Sequence, residues 1–491
     1  VGMTAVLTGE TFESFNPATG EVVGTYPVHT AEQVEAAVAK ARDAAAWWES
    51  LGFAGRAERL AAWRAALAKR MPELGAVITE ETGKPAGDAQ LELVLAIEHL
   101  AWAAKHARKV LGPQRRAPGL LLSNQAATVE YQPLGVVGVI GPWNYPVYTP
   151  LGSVSYALAA GNAVVFKPSE FTPGVGKWLV ESFAEAVPEH PVLQLVTGLG
   201  ETGAALTKAG VDKIAFTGSA ATGKKVMASA AETLTPVVIE AGGKDPLLVD
   251  ADADLDAAAD ATVWGAFSNA GQTCAGVERV YVHEHVYDEF VAKVVTKAEA
   301  VDAGTQYGPM TMPAQLDIVR RHIDDALAAG GRALVGGRDA VGDRYVKPTV
   351  LVDVSEDCSA VREETFGPTV TIAKVADMDE AVEKANDSAY GLGSTVFSKA
   401  RGMELARRLR TGQTAINAPL SFAGIASLPF GGSGESGFGR IHGPEGLREF
   451  ARPKSIARQR FTAPIALTSF ARSKKTEAIV GKLIAKLHGK G

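Results

Sequence analysis

The chain has 491 residues, 46% hydrophobic and 21% charged, with a formal net charge of −6. That length allows several domains at roughly 150 residues each, with cores large enough to need neither disulfides nor metals. The mild negative charge leaves no electrostatic footprint for nucleic acid, and two cysteines, Cys274 and Cys358, are too few for a disulfide framework and fit a reducing, cytoplasmic setting.

Residues 1–15 mix Thr, Gly and Glu with no charged segment leading into an apolar one, so no secretory signal is expected. Thr30-Ala-Glu-Gln33 is a capping-box pattern, and Val34, Val38, Ala41, Ala45 and Trp48 follow at helical spacing. Amphipathic stretches at 56–70 and 91–110 read as further helices, ended by Pro113 and Pro118. The texture then alternates. Short β-branched or apolar runs at 136–140, 163–166, 193–196, 214–216 and 237–239 are separated by helix-like segments at 151–160, 174–186, 202–209 and 222–231. Such alternation predicts βαβ units around a parallel sheet, with ligands at the carboxyl ends of the strands. Those ends carry Trp143-Asn144, Lys167, Gly218-Ser219 and Glu240. A second α/β stretch covers 243–450, with helices at 255–267, 287–301, 314–329, 380–385 and 400–409. No linker, repeat or run of roughly 18 apolar residues interrupts it, and no membrane span is expected.

Three residues suggest chemistry. Cys274, in Asn269-Ala-Gly-Gln-Thr-Cys274, follows a helix and a Gly-containing turn, where a thiol can face a cleft. Glu240 ends an apolar run beside Gly242 and Gly243, where desolvation would raise its pKa toward that of a useful general base. Asn144, in Gly141-Pro-Trp-Asn-Tyr-Pro146, is a rigidly held amide donor suited to an oxyanion. Taken singly, each has a plainer role as a buried thiol, a paired glutamate or an Asx turn. Gly218-Ser-Ala-Ala-Thr-Gly-Lys224 nearly spells a P-loop, but Lys225 stands where Ser or Thr should bind magnesium. It does not match G-x-G-x-x-G either.

Taken in order, Pro142-Trp-Asn-Tyr-Pro146, Lys167-Pro-Ser-Glu170, Phe216-Thr-Gly-Ser219, Glu240-Ala-Gly-Gly-Lys244, Gly271-Gln-Thr-Cys274, Glu363-Glu-Thr-Phe-Gly-Pro368 and Pro429-Phe-Gly-Gly432 resemble the aldehyde dehydrogenase superfamily as far as about Phe450. The 427–445 stretch is closest to class 3-like bacterial members. The resemblance implies an α/β fold: a Rossmann-variant cofactor domain (1–117 and 134–242), a catalytic α/β domain (243–450) and a small β oligomerisation arm (118–133 and 451–463). It implies Cys274 as nucleophile, Glu240 as general base, and Asn144 with the Cys274 N–H as oxyanion hole. Trp143, Lys167, Glu170, Gly218, Ser219, Glu364 and Phe366 would contact NAD, and Glu170 would disfavour a 2′-phosphate although NADP remains compatible. Tyr145, Tyr148, Phe422 and Phe430 would line a pocket for an apolar aliphatic or aromatic aldehyde. The alternatives are a semialdehyde or a CoA-acylating enzyme. No metal site is expected, and the expected partner is a second copy, in a homodimer or tetramer, joined through a hairpin at 120–131 and a strand at 456–461.

In the tail, 464–491, Ile479, Val480, Leu483, Ile484 and Leu487 share one helical face with lysines beside it. Such a helix more often docks on its own protein or a partner subunit, and peripheral contact with an anionic membrane is the other role it suits.

Overall fold

The computed structural model describes residues 9–462 and 469–489. Thr30 closes a complete capping box with Gln33 at the start of the helix Ala31–Ser50, which buries Val34, Ala37, Val38, Ala41, Ala44 and Trp48. Ala44 takes the place expected for Ala45, because positions 34, 37, 41, 44 and 48 track the 3.6-residue period more closely. The helices Gly52–Lys69, Met71–Thr82 and Ala86–Leu111 follow, the last stopping short of Pro113. Trp63 meets Phe183 edge to face at 5.0 Å and donates to Ser182 Oγ, while Trp48 donates to the Leu158 carbonyl at 2.8 Å. Each indole thus buries its apolar body with its N–H satisfied, a contribution on the order of 2–3 kcal/mol apiece.

Five parallel strands form the first sheet in the order Val237–Ala241, Lys213–Gly218, Val136–Ile140, Ala163–Lys167 and Leu193–Leu195. Numbered along the chain, this is the doubly wound 3-2-1-4-5 order, whose direction reverses between Val136–Ile140 and Lys213–Gly218. Trp143-Asn144 lies just beyond the carboxyl end of the first of those strands, and Gly218-Ser219 at the end of the second. An edge strand that the alternation does not predict, Gly437–Phe438, adds antiparallel to Val237–Ala241 and pairs Gly437 with Glu240.

The second sheet has seven strands in the order Arg332–Val335, Thr349–Val352, Thr369–Val375, Val277–His283, Asp245–Val249, Gly393–Phe397 and Gln413–Ile416. All neighbours are parallel except the first pair. Its core packs Phe267, Phe290, Val319 and Ile323 against the strands. The helix expected at 222–231 is Ala220–Ala231, capped by Ser219. Within it Lys224 lies 2.6 Å from Glu435, so the near-P-loop lysine is engaged in an ion pair.

The chain separates into two compact units, Val1–Val110 with Pro133–Arg452, and Leu111–Gln132 with Pro453–Gly491. The smaller is built on a three-stranded sheet in the order Ala451–Gln459, Gln125–Pro133, Gln114–Arg116. Leu120–Leu122 forms a 3-10 turn rather than strand, and the late strand ends at Gln459. The junction between arm and tail at 463–468 lies outside the described residues. Beyond it the helix Lys474–His488 forms as expected, capped by Ser473, with Ile479, Ile484 and Leu487 exposed. Among the described residues no helix is long and apolar enough to cross a membrane.

Candidate active site

Helix Leu255–Phe267 gives way to the turn Ser268–Gly271, where Asn269, Ala270 and Gly271 adopt φ of 53°, 56° and 69°. Left-handed geometry at two non-glycine residues costs on the order of 1–3 kcal/mol each. The turn reverses the chain and leaves Cys274 just ahead of the strand Val277–His283. A Cβ at position 271 would overlap the Gly367 carbonyl, so glycine alone lets this loop press against the segment that carries Glu364 and Phe366.

Cys274 is partly exposed and packs against Ala275, Leu392, Ala415, Phe422, Phe430 and Ile441. Burial holds its thiol well above the ordinary range, and the negative charges of Glu240, Asp245 and Glu364 raise it further. Glu240 is buried near the end of the strand Val237–Ala241, and its Oε2 has no hydrogen-bond partner. Burial lifts its pKa to about 8, against a smaller opposing effect of the Thr217 side chain.

Asn144 is buried and donates from Nδ2 to the Gln272 carbonyl at 3.0 Å, two residues before the thiol. A primary amide has two N–H donors, so one remains for a ligand after that bond. Tyr145 Oη lies 3.0 Å from Thr273 Oγ1, and Tyr148 donates to the Ala423 carbonyl at 2.7 Å. Both phenols are held protonated, mainly by burial, and both lie within the field of Cys274. Phe422 and Phe430, their rings 6.1 Å apart, complete an apolar wall against the sulfur. Of the four expected pocket residues, Phe422 and Phe430 pack in the cluster against the sulfur, Tyr145 bonds to Thr273 beside it, and Tyr148 lies within its electrostatic reach.

Of the expected dinucleotide contacts, Trp143, Lys167, Glu170, Gly218 and Ser219 lie along the carboxyl edge of the first sheet, while Glu364 and Phe366 come from the segment before Thr369–Val375 of the second. Lys167 is buried and donates to the Pro168 carbonyl at 3.2 Å, and Glu170 next to it is partly exposed. Gly218 and exposed Ser219 begin the helix Ala220–Ala231, whose first amides suit a phosphate. Trp143 meets Phe366 edge to face at 5.6 Å, and Phe366 itself has φ 50°. Glu364 accepts from the Gly243 N–H at 3.1 Å, and its pKa is raised to about 8 by burial and then by Glu278. This donor set fits a dinucleotide: an ammonium and carboxylate for sugar hydroxyls, a helix start for phosphate, and a carboxylate beside an aromatic pair near the thiol.

Sequence patterns did not single out Lys84, Glu92, Asn269 or Gln272, yet all bond to the Asn144 segment or its neighbours. They also give no sign of the buried His99–His442 pair, whose ring centroids lie 3.8 Å apart beside Tyr148. The bonds at Asn144 join residues far apart in sequence, so no local spacing announces them.

A profile of the Aldehyde dehydrogenase family matches residues 6–456. A Mycobacterium ulcerans (strain Agy99) protein with a provisional designation as an NADP(+) succinate-semialdehyde dehydrogenase is 39% identical over 453 residues, covering 90% of this chain and 87% of its own. The crystal structure of lactaldehyde dehydrogenase from Escherichia coli aligns with a TM-score of 0.88 at 32% identity, covering 92% of this chain and 96% of that one. An NAD-dependent aldehyde dehydrogenase from Sinorhizobium meliloti aligns with a TM-score of 0.88 at 35% identity, covering 93% of each chain. With the parallel-sheet fold and the thiol, carboxylate and amide already in place, these matches establish that the chain belongs to the aldehyde dehydrogenase family.

Proposed function

We propose that the chain oxidises an apolar aldehyde to its carboxylic acid through a thioester on Cys274, using NAD in preference to NADP. The observation that carries this reading is the setting of Cys274: a partly exposed thiol beside a buried, incompletely bonded Glu240, with Asn144 tied to the thiol's own loop. Cys274 Sγ adds to the aldehyde carbon as its proton leaves to solvent, which reaches this partly exposed sulfur. The carbonyl oxygen becomes an oxyanion facing Asn144 Nδ2 and the Cys274 N–H; a fixed donor of this kind is worth roughly 10²–10³ in rate. Glu364, Phe366 and Trp143 would hold the nicotinamide, which would supply the hydride acceptor, while Lys167 and Glu170 would meet the adenosine ribose and Gly218 and Ser219 the phosphates. Departure of hydride from carbon leaves the acyl group on Sγ. Glu240 then takes a proton from water as that water adds to the thioester, the C–S bond breaks, and the acid leaves.

The wall packed against the sulfur is apolar, built from Phe422, Phe430, Leu392 and Ile441. Lys84, beneath the Tyr145 ring, is inaccessible and already paired with Glu92. Hexanal and benzaldehyde are expected to exceed succinate semialdehyde in kcat/KM by at least about tenfold, since a buried unpaired charge costs more than a lost methylene contact gains. The measurement is NADH or NADPH formation across these aldehydes with each dinucleotide. A higher kcat/KM for the semialdehyde would favour the activity in the mycobacterial relative's designation. A strict requirement for coenzyme A would favour the acylating reaction, in which Glu240 has no water to activate.

We further propose that the chain self-associates through its smaller unit. The strand Ala451–Gln459 is exposed along nearly its whole length, and Leu120, Leu121 and Leu122 are exposed at 64%, 39% and 50%. A long exposed strand is a ready template for pairing with another chain. Sedimentation at micromolar concentration is expected to give a dimer or a dimer of dimers, with a charged residue at Leu120 and Leu122 lowering the association. A monomer at all concentrations contradicts this.

A further inference from the structure

We propose that Lys84 and Glu92 are positioning residues that hold the oxyanion donor of Asn144 in place, a role that rests on the reading of Asn144 given above. Their side chains are wholly inaccessible to solvent, and Lys84 Nζ lies 2.6 Å from Glu92 Oε2. Burying two charges costs several kcal/mol per ion unless their remaining hydrogen-bonding capacity is met. Here that capacity is spent on one short stretch of chain. Lys84 Nζ also donates to the Asn144 backbone carbonyl at 2.9 Å and lies 4.1 Å from the centre of the Tyr145 ring. The other oxygen of Glu92, Oε1, accepts from the N–H groups of Val147 and Tyr148 at 2.8 and 3.1 Å.

Those two N–H groups open the helix Tyr148–Ala160, and N-terminal amides have no partner within their own helix. Glu92 caps them from a different helix, Ala86–Leu111. The ion pair therefore grips the 144–148 segment at both ends, by a carbonyl at 144 and by two amides at 147 and 148. Lys84 reaches inward because Gly83 turns the chain with φ 71° at the end of Met71–Thr82, where a Cβ would meet Pro309. A second grip comes from the nucleophile loop, since Asn269 Nδ2 donates at 3.1 Å to both the Asn144 and Gln272 carbonyls. The backbone of Asn144 is thereby fixed to the same loop its side chain bonds to. An oxyanion donor helps in proportion to how little it must move, and misplacement by about 1 Å costs on the order of 10² in rate.

The test is a double-mutant cycle read by single-turnover NADH formation, which reports acylation before hydrolysis. The paired change Lys84→Met with Glu92→Gln leaves no unpaired buried charge. It is expected to slow acylation about 10- to 100-fold with NAD binding, followed by tryptophan fluorescence, unchanged. In an Asn144→Ala background the same paired change is expected to cost less than about threefold, since the donor it positions is gone. Glu92→Gln alone is nearly isosteric, loosens the grip on 147 and 148, and is expected to show the same pattern at roughly 3- to 10-fold. It serves as the second variant if the paired change does not fold. Equal losses in both backgrounds, or wild-type acylation in a folded variant, would overturn the positioning role while leaving the thioester reading intact. Wild-type acylation by Asn144→Ala alone would overturn the oxyanion assignment and the positioning role together.

Discussion

Cys274→Ala is expected to reduce NADH formation by at least about 10³-fold while leaving NAD binding within a few-fold of wild type. The size follows from removing a nucleophile that nothing nearby replaces, since the loss of such a group alone disables a catalytic unit. Cys358, the other cysteine, sits behind Asp325, with Sγ 3.2 Å from that carboxylate. Cys358→Ala is accordingly the control that keeps activity. The substitution at 274 removes little packing, because the sulfur borders the cleft and the surrounding Phe422, Phe430 and Leu392 contacts persist. Turnover near wild type in a folded Cys274→Ala protein would refute the nucleophile assignment.

Glu240→Gln separates the two halves of the reaction. The variant is expected to release about one NADH per active site and then stall, because acylation can proceed while water activation cannot. The wild-type pH profile carries the same signature. A general base works as its carboxylate, and burial has raised Glu240 to about 8 in the free protein. Below that value the ionised fraction grows about tenfold per pH unit, reaching about a tenth at neutrality. Hydrolysis-limited turnover is therefore expected to climb from pH 6 to 8 and level off above, and that limb should vanish in Glu240→Gln. A flat profile through this window, or undiminished steady-state turnover by the variant at neutral pH, would count against Glu240 as base.

The legible parts of the fold are those that local chemistry dictates. The runs at 136–140, 163–166 and 214–216 are buried nearly throughout, and continuous apolar strands of that kind are visible in sequence, whereas Leu193–Leu195 at the sheet edge and Val237 are only partly buried. The helix at 31–50 announced itself through Thr30 and Gln33. Gly437–Phe438 did not, because two residues have no periodicity and pair only through a neighbour nearly 200 positions earlier. Leu120–Leu122 has the apolar character of a strand yet forms a 3-10 turn, and it follows Gly119, whose φ is 77°.

At the site, sequence patterns identified the residues whose chemistry is intrinsic: a thiol, a carboxylate after an apolar run, an amide between prolines. Each was weak alone, and the resemblance supplied their grouping. The buried pair beneath them was not legible. Lys84 and Glu92 carry no local signature, and nothing in their neighbourhood foretells that Asn144, Val147 and Tyr148 will fold over them. Burial of the carboxylate was expected from Gly242 and Gly243, but neither its unpartnered Oε2 nor the edge strand that pairs Gly437 with Glu240 was legible.

The most direct test of the thioester is its capture. Glu240→Gln mixed with NAD and an aldehyde, quenched in acid within the first turnover, is expected to gain the mass of that aldehyde less two hydrogens, located on the peptide containing Cys274. An unmodified Cys274 peptide after a full equivalent of NADH has formed would contradict a covalent acyl-enzyme on this sulfur.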